Sequence, residues 1–311
     1  MSQIFTEPDM TSDTPVLTLA VVELVGGKPL CTTLEEVSGL SGIKAVDVVV
    51  ICKGALAGAL VSDFPNVRFV EHGGDTIPLR RKRALLEARG SVVGVIEDTV
   101  VPSSNWVETA LSVFSDQGQA AGAYWGPVTV SNDLSPRGRA LAVMEYGRFA
   151  VTRPPESPAA AEVLPGCGFL VRRQLALDLM AGNELGIFEQ QLAEALWKAE
   201  CKIGFDPELS VTYHAEDTYG AKLSTRLNHG RLYAGTIARN ATLAQRSVGA
   251  VRSLLVPAVL ALRGLRMSRR FPPGRPGIGE AMWIVLMSLF WGAGELLGFV
   301  FGAGKTIGSW Q

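Results

Sequence analysis

Along the first half of the chain, short apolar runs rich in β-branched residues alternate with stretches whose leucines and valines recur at helical spacing. Residues 16–25 (VLTLAVVELV) predict a strand and 29–40 a helix. Residues 47–52 (DVVVIC) predict a second strand, too short and too branched for a helix, and 67–70 (VRFV) a third. Strands separated by helices at this spacing imply right-handed βαβ units and a mostly parallel sheet. Another apolar run, Val92, Val93, Val95 and Ile96, stops at two carboxylates and a hydroxyl, Glu97, Asp98 and Thr99. Pro102 and a capped helix start follow. Such a run reads as a buried strand that carries acids to its carboxyl end, where ligands collect in open α/β sheets. An acidic turn after a core strand is the plainer alternative.

Residues 77–90 have proline near a predicted helix start and glycine just past its end, with Arg80, Arg81, Lys82 and Arg83 crowded into the first turn. Cations there oppose the helix dipole at about 0.3–1 kcal/mol each unless an anion sits nearby, so the arrangement anticipates a diphosphate. A solvated basic turn is the alternative. Further on, 107–114 predict a helix, 121–130 (AGAYWGPVTV) a strand, and 139–149 an amphipathic helix bearing Glu145, Tyr146 and Arg148. Residues 152–161, rich in proline and alanine, predict a mobile loop. A glycine-bearing turn, Val163-Leu-Pro-Gly-Cys-Gly-Phe, enters a short strand. A helix beginning near Phe188 has Glu189 in its first turn, and 205–214 form an extended segment ending in His214. Glycine permits close backbone approach to a ligand at Gly166 and Gly168, or serves only the turn.

The last quarter has a different pattern. Residues 247–265 hold an apolar stretch too short to span a bilayer, flanked by arginines and carrying a proline, which suits an interfacial helix. Residues 281–302 are 22 positions with one charge, Glu295, and about 20 apolar residues suffice to cross a bilayer core. The expectation is one membrane-embedded element, spanning or re-entrant.

Composition adds little until its distribution is considered. With 311 residues, 47% of them apolar, and net charge −1, the chain can build a real core and carries no global bias toward anionic partners. Between residues 218 and 279, however, there are eleven Lys or Arg and no Asp or Glu. Beside apolar segments, this block points to a membrane leaflet and not to nucleic acid. It also predicts that the bulk of the protein is cytoplasmic. Cys31, Cys52, Cys167 and Cys201 lie far apart, without metal-ligand spacing. The polar, acidic first residues lack the apolar stretch of a signal peptide, and 1–14 are expected to be disordered.

In order and spacing these segments resemble glycosyltransferase family 2 on the GT-A fold, in a membrane-attached bacterial branch. The likeness runs from about residue 16 to 239. It rests on the basic helix with Ala88-Arg89-Gly90, the strand into an Asp-X-Asp-type motif with Pro102 and Trp106, and the Leu164-Pro-Gly-Cys-Gly-Phe turn with Arg172-Arg173. Later elements are the Phe188-Glu189 helix start, Pro207 through Val211 to His214, and the Glu145-Tyr-Gly-Arg148, Gly230–Gly235 and Gly294–Gly298 stretches.

The resemblance implies an α/β GT-A domain over 15–240, Rossmann-like with a mostly parallel sheet, followed over 241–311 by a basic interfacial helix and the membrane-embedded segment. It implies inverting transfer of a sugar from a nucleotide-diphosphate donor to a lipid-linked or envelope-polysaccharide acceptor at the cytoplasmic membrane face. Glu189 falls at the position of the catalytic base. Glu97, Asp98, Thr99, Arg81, Lys53, Gly166 and Cys167 fall at donor and diphosphate positions. Asp98, Thr99 and His214 are the candidates for a divalent cation, Mg2+ or Mn2+. The chain departs from the family pattern at Thr99, where a third acid is usual, at Cys52-Lys53, where an acid is common, and at Lys82, where asparagine is usual. These departures keep a second reading open, that of a catalytically silent nucleotide-sugar binder or scaffold in an envelope assembly.

Overall fold

The computed structural model describes residues 16–54, 58–72, 76–115, 121–151, 163–216, 223–239, 241–272 and 274–304. The expectations for 1–14 and 152–161 fall outside the described residues.

The β-branched runs form the strands they predict. β1 (Leu17–Val22), β2 (Asp47–Cys52) and β4 (Val92–Glu97) pair in parallel, and nearly every side chain on them is buried, as strands covered on both faces require. Helix α1 (Gly27–Ser38) joins β1 to β2, α2 (Gly58–Asp63) leads to β3 (Val67–Glu71), and α3 (Ile77–Glu87) leads to β4. The seven-stranded sheet has the order β3-β2-β1-β4-β8-β6-β9. Its far half comprises β6 (Ala121–Trp125), β8 (Gly168–Arg172) and β9 (Lys202–Phe205), and β8 runs antiparallel to both β4 and β6. The protein is thus mixed α/β with a mostly parallel sheet flanked by helices.

Two consequences of this order fix the site. Chain connections diverge on either side of β1 and β4, so a crevice opens outside their carboxyl ends, the usual ligand position in such sheets. Because β8 is antiparallel to β4, with Gly168 opposite Ile96, the turn before β8 lies beside the carboxyl end of β4.

A small second sheet, β5 (Val100–Pro102), β10 (Val211–Tyr213) and β7 (Val128–Val130), follows directly from β4. The single strand expected over 121–130 is therefore two strands in two sheets. The chain breaks at Gly126-Pro127. A Cβ at Gly126 would sit 2.3 Å from the Leu209 backbone, and Pro127 has no N–H for a ladder. Helix α4 (Trp106–Ser115) begins with Trp106, buried against β4, where only glycine at position 94 leaves room for the indole. Helices α5 (Pro136–Tyr146), α6 (Arg173–Leu179) and α7 (Glu189–Lys198) complete this part, with a 3-10 turn, Gly147–Phe149, after α5.

The rest of the described chain is helical: α8 (Leu223–Ala238), α9 (Leu243–Ser253), α10 (Val256–Ser268) and α11 (Ile278–Phe301). The single helix expected over 247–265 is two helices, α9 and α10, bent by 48°. Pro257 explains the break, since its ring opposes the Ser253 carbonyl and it supplies no N–H. Helix α11 covers the apolar segment and is the described helix long and apolar enough to cross a membrane. It packs on α8 through glycines. A Cβ on Gly294 would lie 2.1 Å from the Leu227 carbonyl oxygen, and one on Gly298 2.4 Å from that of Arg231. Arg246 donates to the Phe299 and Val300 carbonyls, and Arg231 to that of Gly302, placing cations at the negative end of α11.

Candidate active site

The carboxyl ends of β1 and β4 and the turn before β8 converge on Arg81. From α3, its Nη2 donates to Glu97 Oε1 at 2.9 Å and to the Gly166 carbonyl at 3.2 Å, and its Nη1 donates to Glu189 Oε2 at 2.6 Å. One guanidinium therefore holds the strand-end carboxylate and the helix-start carboxylate together. Burial disfavours its charge, but Glu189 and Glu97 outweigh that and raise its pKa above the ordinary arginine value. Glu97 also accepts from the buried Tyr146 hydroxyl at 3.0 Å and from Thr99 at 3.5 Å. The backbone N–H of Glu97 donates to the Cys167 carbonyl at 3.3 Å. Burial first, then Glu97, raises the Tyr146 pKa well above the usual phenol value, so its hydroxyl stays a hydrogen-bond donor. The Cys167 thiol is likewise raised well above its ordinary value by burial.

The two carboxylates differ in access. The Glu97 side chain is 4% exposed and that of Glu189 is 32% exposed. Only Glu189 of this pair is open to a bound molecule.

The N-terminus of α7 is docked on α3. Ile187 N–H donates to the Pro78 carbonyl at 2.8 Å, and Gly186 adopts φ +98° where a Cβ would sit 2.3 Å from the Pro78 backbone. Alanine at Gly186 is expected to destabilise the fold by about 1–3 kcal/mol and to pull Glu189 off Arg81. A lowered denaturation midpoint together with reduced activity checks this.

Asp98 turns away from Arg81. Its carboxylate accepts backbone N–H bonds from Leu24 (2.8 Å), Val25 (3.0 Å to Oδ2) and Gly26 (2.6 Å), fastening the β1–α1 loop across the crevice. Burial, opposed by these three donors, raises its pKa from 3.8 to about 6. A folded-state pKa above the unfolded one means that stability from the protonated form is present below about pH 4 and lost as pH rises through about 6. The stability of the wild type relative to Asp98→Asn is expected to fall by about 1–3 kcal/mol between pH 4 and pH 7, as read from urea midpoints.

His214 stands behind this turn. Its backbone N–H donates to the Thr99 carbonyl at 2.9 Å, and its ring Nε2 lies 3.0 Å from Thr33 Oγ1, which donates to the Asp98 and Val100 carbonyls. Burial lowers its pKa, which keeps the ring neutral near pH 7. Lys53 is exposed at the end of β2, and its backbone N–H donates to Glu23 at 2.7 Å.

These contacts decide the fit of a divalent cation. Both Asp98 oxygens are taken by amides, Glu97 by Arg81 and Tyr146, and His214 Nε2 by Thr33. No group of three His, Cys, Asp or Glu gathers among the described residues. The expected trio of Asp98, Thr99 and His214 therefore does not fit a cation as arranged.

The anion anticipated by the basic turn of α3 also has a different identity. Arg81 spends its donors on internal carboxylates, Lys82 donates to the Asn183 carbonyl, Arg83 pairs with Glu87, and Arg80 is wholly buried. Glu23, Thr33 and Tyr146 are site residues that sequence reasoning did not assign. Tyr146 alone left a signal, as part of the Glu145–Arg148 stretch.

No family model matches the chain, and no curated protein matches it. Among solved structures it is similar to a mannosyltransferase from Pyrobaculum calidifontis, described in complex with GDP-Man and Mn2+. The two share 16% identity at a TM-score of 0.49, over 91% of this chain and 88% of the other.

Proposed function

We propose that the protein is an inverting GT-A glycosyltransferase that moves a sugar from a nucleotide-diphosphate donor to a lipid-linked or envelope-polysaccharide acceptor at the cytoplasmic face of the inner membrane. The Arg81 bridge carries this reading, because it gathers a buried and a reachable carboxylate beside the crevice at the ends of β1 and β4. In the proposed reaction Glu189 takes the proton of an acceptor hydroxyl. That oxygen bonds the anomeric carbon from the side opposite the diphosphate, whose C–O bond breaks with its electron pair. The nucleoside diphosphate leaves, and one in-line displacement inverts the centre. Arg81 keeps Glu189 oriented, and the exposed Lys53 is the proposed cation for the departing diphosphate.

No step is assigned to a metal. Binding of nucleotide diphosphates, read by thermal shift on the purified protein, is expected to be unchanged by chelator, and a shift that appears only with Mn2+ would restore a cation site. The same panel tests the main proposal: a protein that no nucleotide diphosphate or nucleotide sugar stabilises is not this enzyme. A silent binder is the reading favoured by the closed ring of charges around Arg81, and donor hydrolysis in the presence of membranes separates the two.

The membrane part of the proposal draws on exposed apolar side chains. Val251, Leu254, Leu255, Val259 and Leu262 on α9, α10 and their junction face solvent, as do Met282, Val285 and Leu289 on α11. Arginines border them at 246, 252, 263 and 266. Such a surface suits the headgroup region of an anionic leaflet.

A further inference from the structure

We propose that α11 does not cross the membrane: it lies with α9 and α10 in the plane of one anionic leaflet, and both of its ends stay on the side of the crevice. The inference rests on the membrane part of the reading above and fixes how that surface is used.

Length and composition alone would let α11 span. Its 24 residues reach about 36 Å, and a bilayer core is about 30 Å thick. A spanning helix also needs lipid or apolar helices around it, and the neighbours of α11 are neither. At its start the buried Glu280 pairs with Arg139 of α5 at 3.3 Å and accepts from Ser268, while a Cβ on Gly279 would sit 3.1 Å from Pro136, the first residue of α5. A turn further on, Ile284 closes on Gly264 of α10, where a Cβ would also meet Met144 of α5.

The second half of α11 lies along α8, in the same direction. Gly294 faces the Leu227 carbonyl, Gly298 that of Arg231, and Gly235 the backbone of Ala303. Helix α8 carries Arg226, His229 and Arg231 over this stretch. If α11 crossed, α8 would be carried past mid-bilayer beside it, at about 2.5–3.5 kcal/mol for each arginine there. Arg226 is moreover buried and paired with Glu145 of α5 at 2.5 Å. Arg139 and Glu145 are about 9 Å apart along α5, the helix that also brings the Tyr146 hydroxyl to Glu97. One helix of the crevice therefore anchors the start of α11 directly and its second half through α8.

The far end is held in the same way. Arg246 donates to the Phe299 and Val300 carbonyls at 3.0 and 2.8 Å, and Arg231 to that of Gly302 at 3.1 Å. Both guanidiniums would have to cross with the helix end, against the preference of arginine-rich segments for the cytoplasmic side.

What remains for the bilayer is one-sided. Helices α9 and α10 run back along α11, with Gly249 on Phe299, Pro257 on Gly292 and Gly264 on Ile284. Leu255, Val259 and Leu262 stay exposed on this pair, and Met282, Val285 and Leu289 on α11. Arg263, Arg266, Arg269 and Arg270 are exposed beside them, and no acid occurs between residues 218 and 279. Apolar stripes edged by unopposed cations match an anionic leaflet entered to a depth of about 5–10 Å, whereas a neutral apolar partner leaves the arginines unmatched.

Protease access tests the topology. A site-specific cleavage sequence is inserted after Arg275, and a second one, followed by an epitope, after Gln311 of the full-length protein. Both are expected to be cut in inverted inner-membrane vesicles and protected in spheroplasts. Cutting at Gln311 in spheroplasts means that α11 crosses, and cutting at Arg275 that α9–α10 and α11 cross as a hairpin; either overturns the inference and leaves membrane attachment standing. Recovery of the protein in the soluble fraction makes α11 an ordinary core helix and removes both. Vesicle binding tests the partner: Arg266→Gln with Arg269→Gln should weaken binding to phosphatidylglycerol vesicles by roughly 30-fold and leave binding to phosphatidylcholine vesicles unchanged. Equal binding of the wild type to the two lipids would remove the anionic leaflet as its partner. A nucleotide-diphosphate thermal shift on the same preparations judges the transferase reading separately.

Discussion

Glu189→Gln is expected to cut sugar transfer by about 10²–10⁴-fold, the usual contribution of a positioned general base. The amide keeps the side chain's length and still offers an oxygen to Arg81, so the fold and the crevice should survive. What it removes is the capacity to accept a proton from the acceptor hydroxyl. The loss should therefore appear in kcat, with the KM for the nucleotide sugar little changed, because the donor diphosphate is not held by this carboxylate. The ion pair lost with the charge is a modest stability term. The Glu189 side chain is 32% exposed, and pairs reached by solvent contribute about 0–1 kcal/mol. Steady-state kinetics on purified protein, with denaturation midpoints measured alongside, checks both statements. Unchanged kcat removes Glu189 from the reaction, whereas a collapse of the midpoint means that it holds the structure.

The sheet was legible because its strands are buried on both faces. At β1, β2 and β4 that burial demands uninterrupted β-branched runs, and such runs stand out in a chain of ordinary composition. The boundary between α9 and α10 was not legible, since an apolar stretch of that length with one proline reads equally as a single helix. The division of 121–130 between two sheets depends on how closely Leu209 approaches Gly126, a contact from 83 positions away that no local pattern encodes.

The site divides in the same manner. The residue pattern singled out Glu97 and Asp98, because an apolar run ending in acids is a local signal, whereas Glu189 was marked only by the family resemblance. Their orientations are not local. Asp98 begins a turn that swings its carboxylate onto the amides of residues 24–26, so an acid assigned to a metal serves as a clasp on the β1–α1 loop. The cations of α3 suggested a diphosphate, but helix-dipole reasoning cannot foresee that Arg81 meets two carboxylates supplied by other parts of the chain. Only the antiparallel placement of β8, together with the docking of Gly186 on Pro78, brings Gly166 and Glu189 to Arg81.

Arg81→Met should destabilise the protein by about 3–5 kcal/mol, the cost of leaving a buried carboxylate without its cation. Glu97 is the carboxylate concerned, since its side chain is 4% exposed and would keep only the Tyr146 and Thr99 hydroxyls. Glu189, which water reaches, should tolerate the loss. The discriminating variant is therefore Arg81→Met combined with Glu97→Gln, which removes the charge along with its partner. If burial of an uncompensated charge is the cause, the double variant should recover most of the lost stability, because replacing both members of a buried pair is often close to neutral. Arg81→Lys should fall between, as a single ammonium keeps the charge but cannot span two carboxylates with a planar fork. Urea midpoints of the four proteins provide the test. A double variant as unstable as Arg81→Met alone would mean that Arg81 acts by filling space between α3 and α7, and that the charge ring at the crevice is not what holds Glu97 and Glu189 in place.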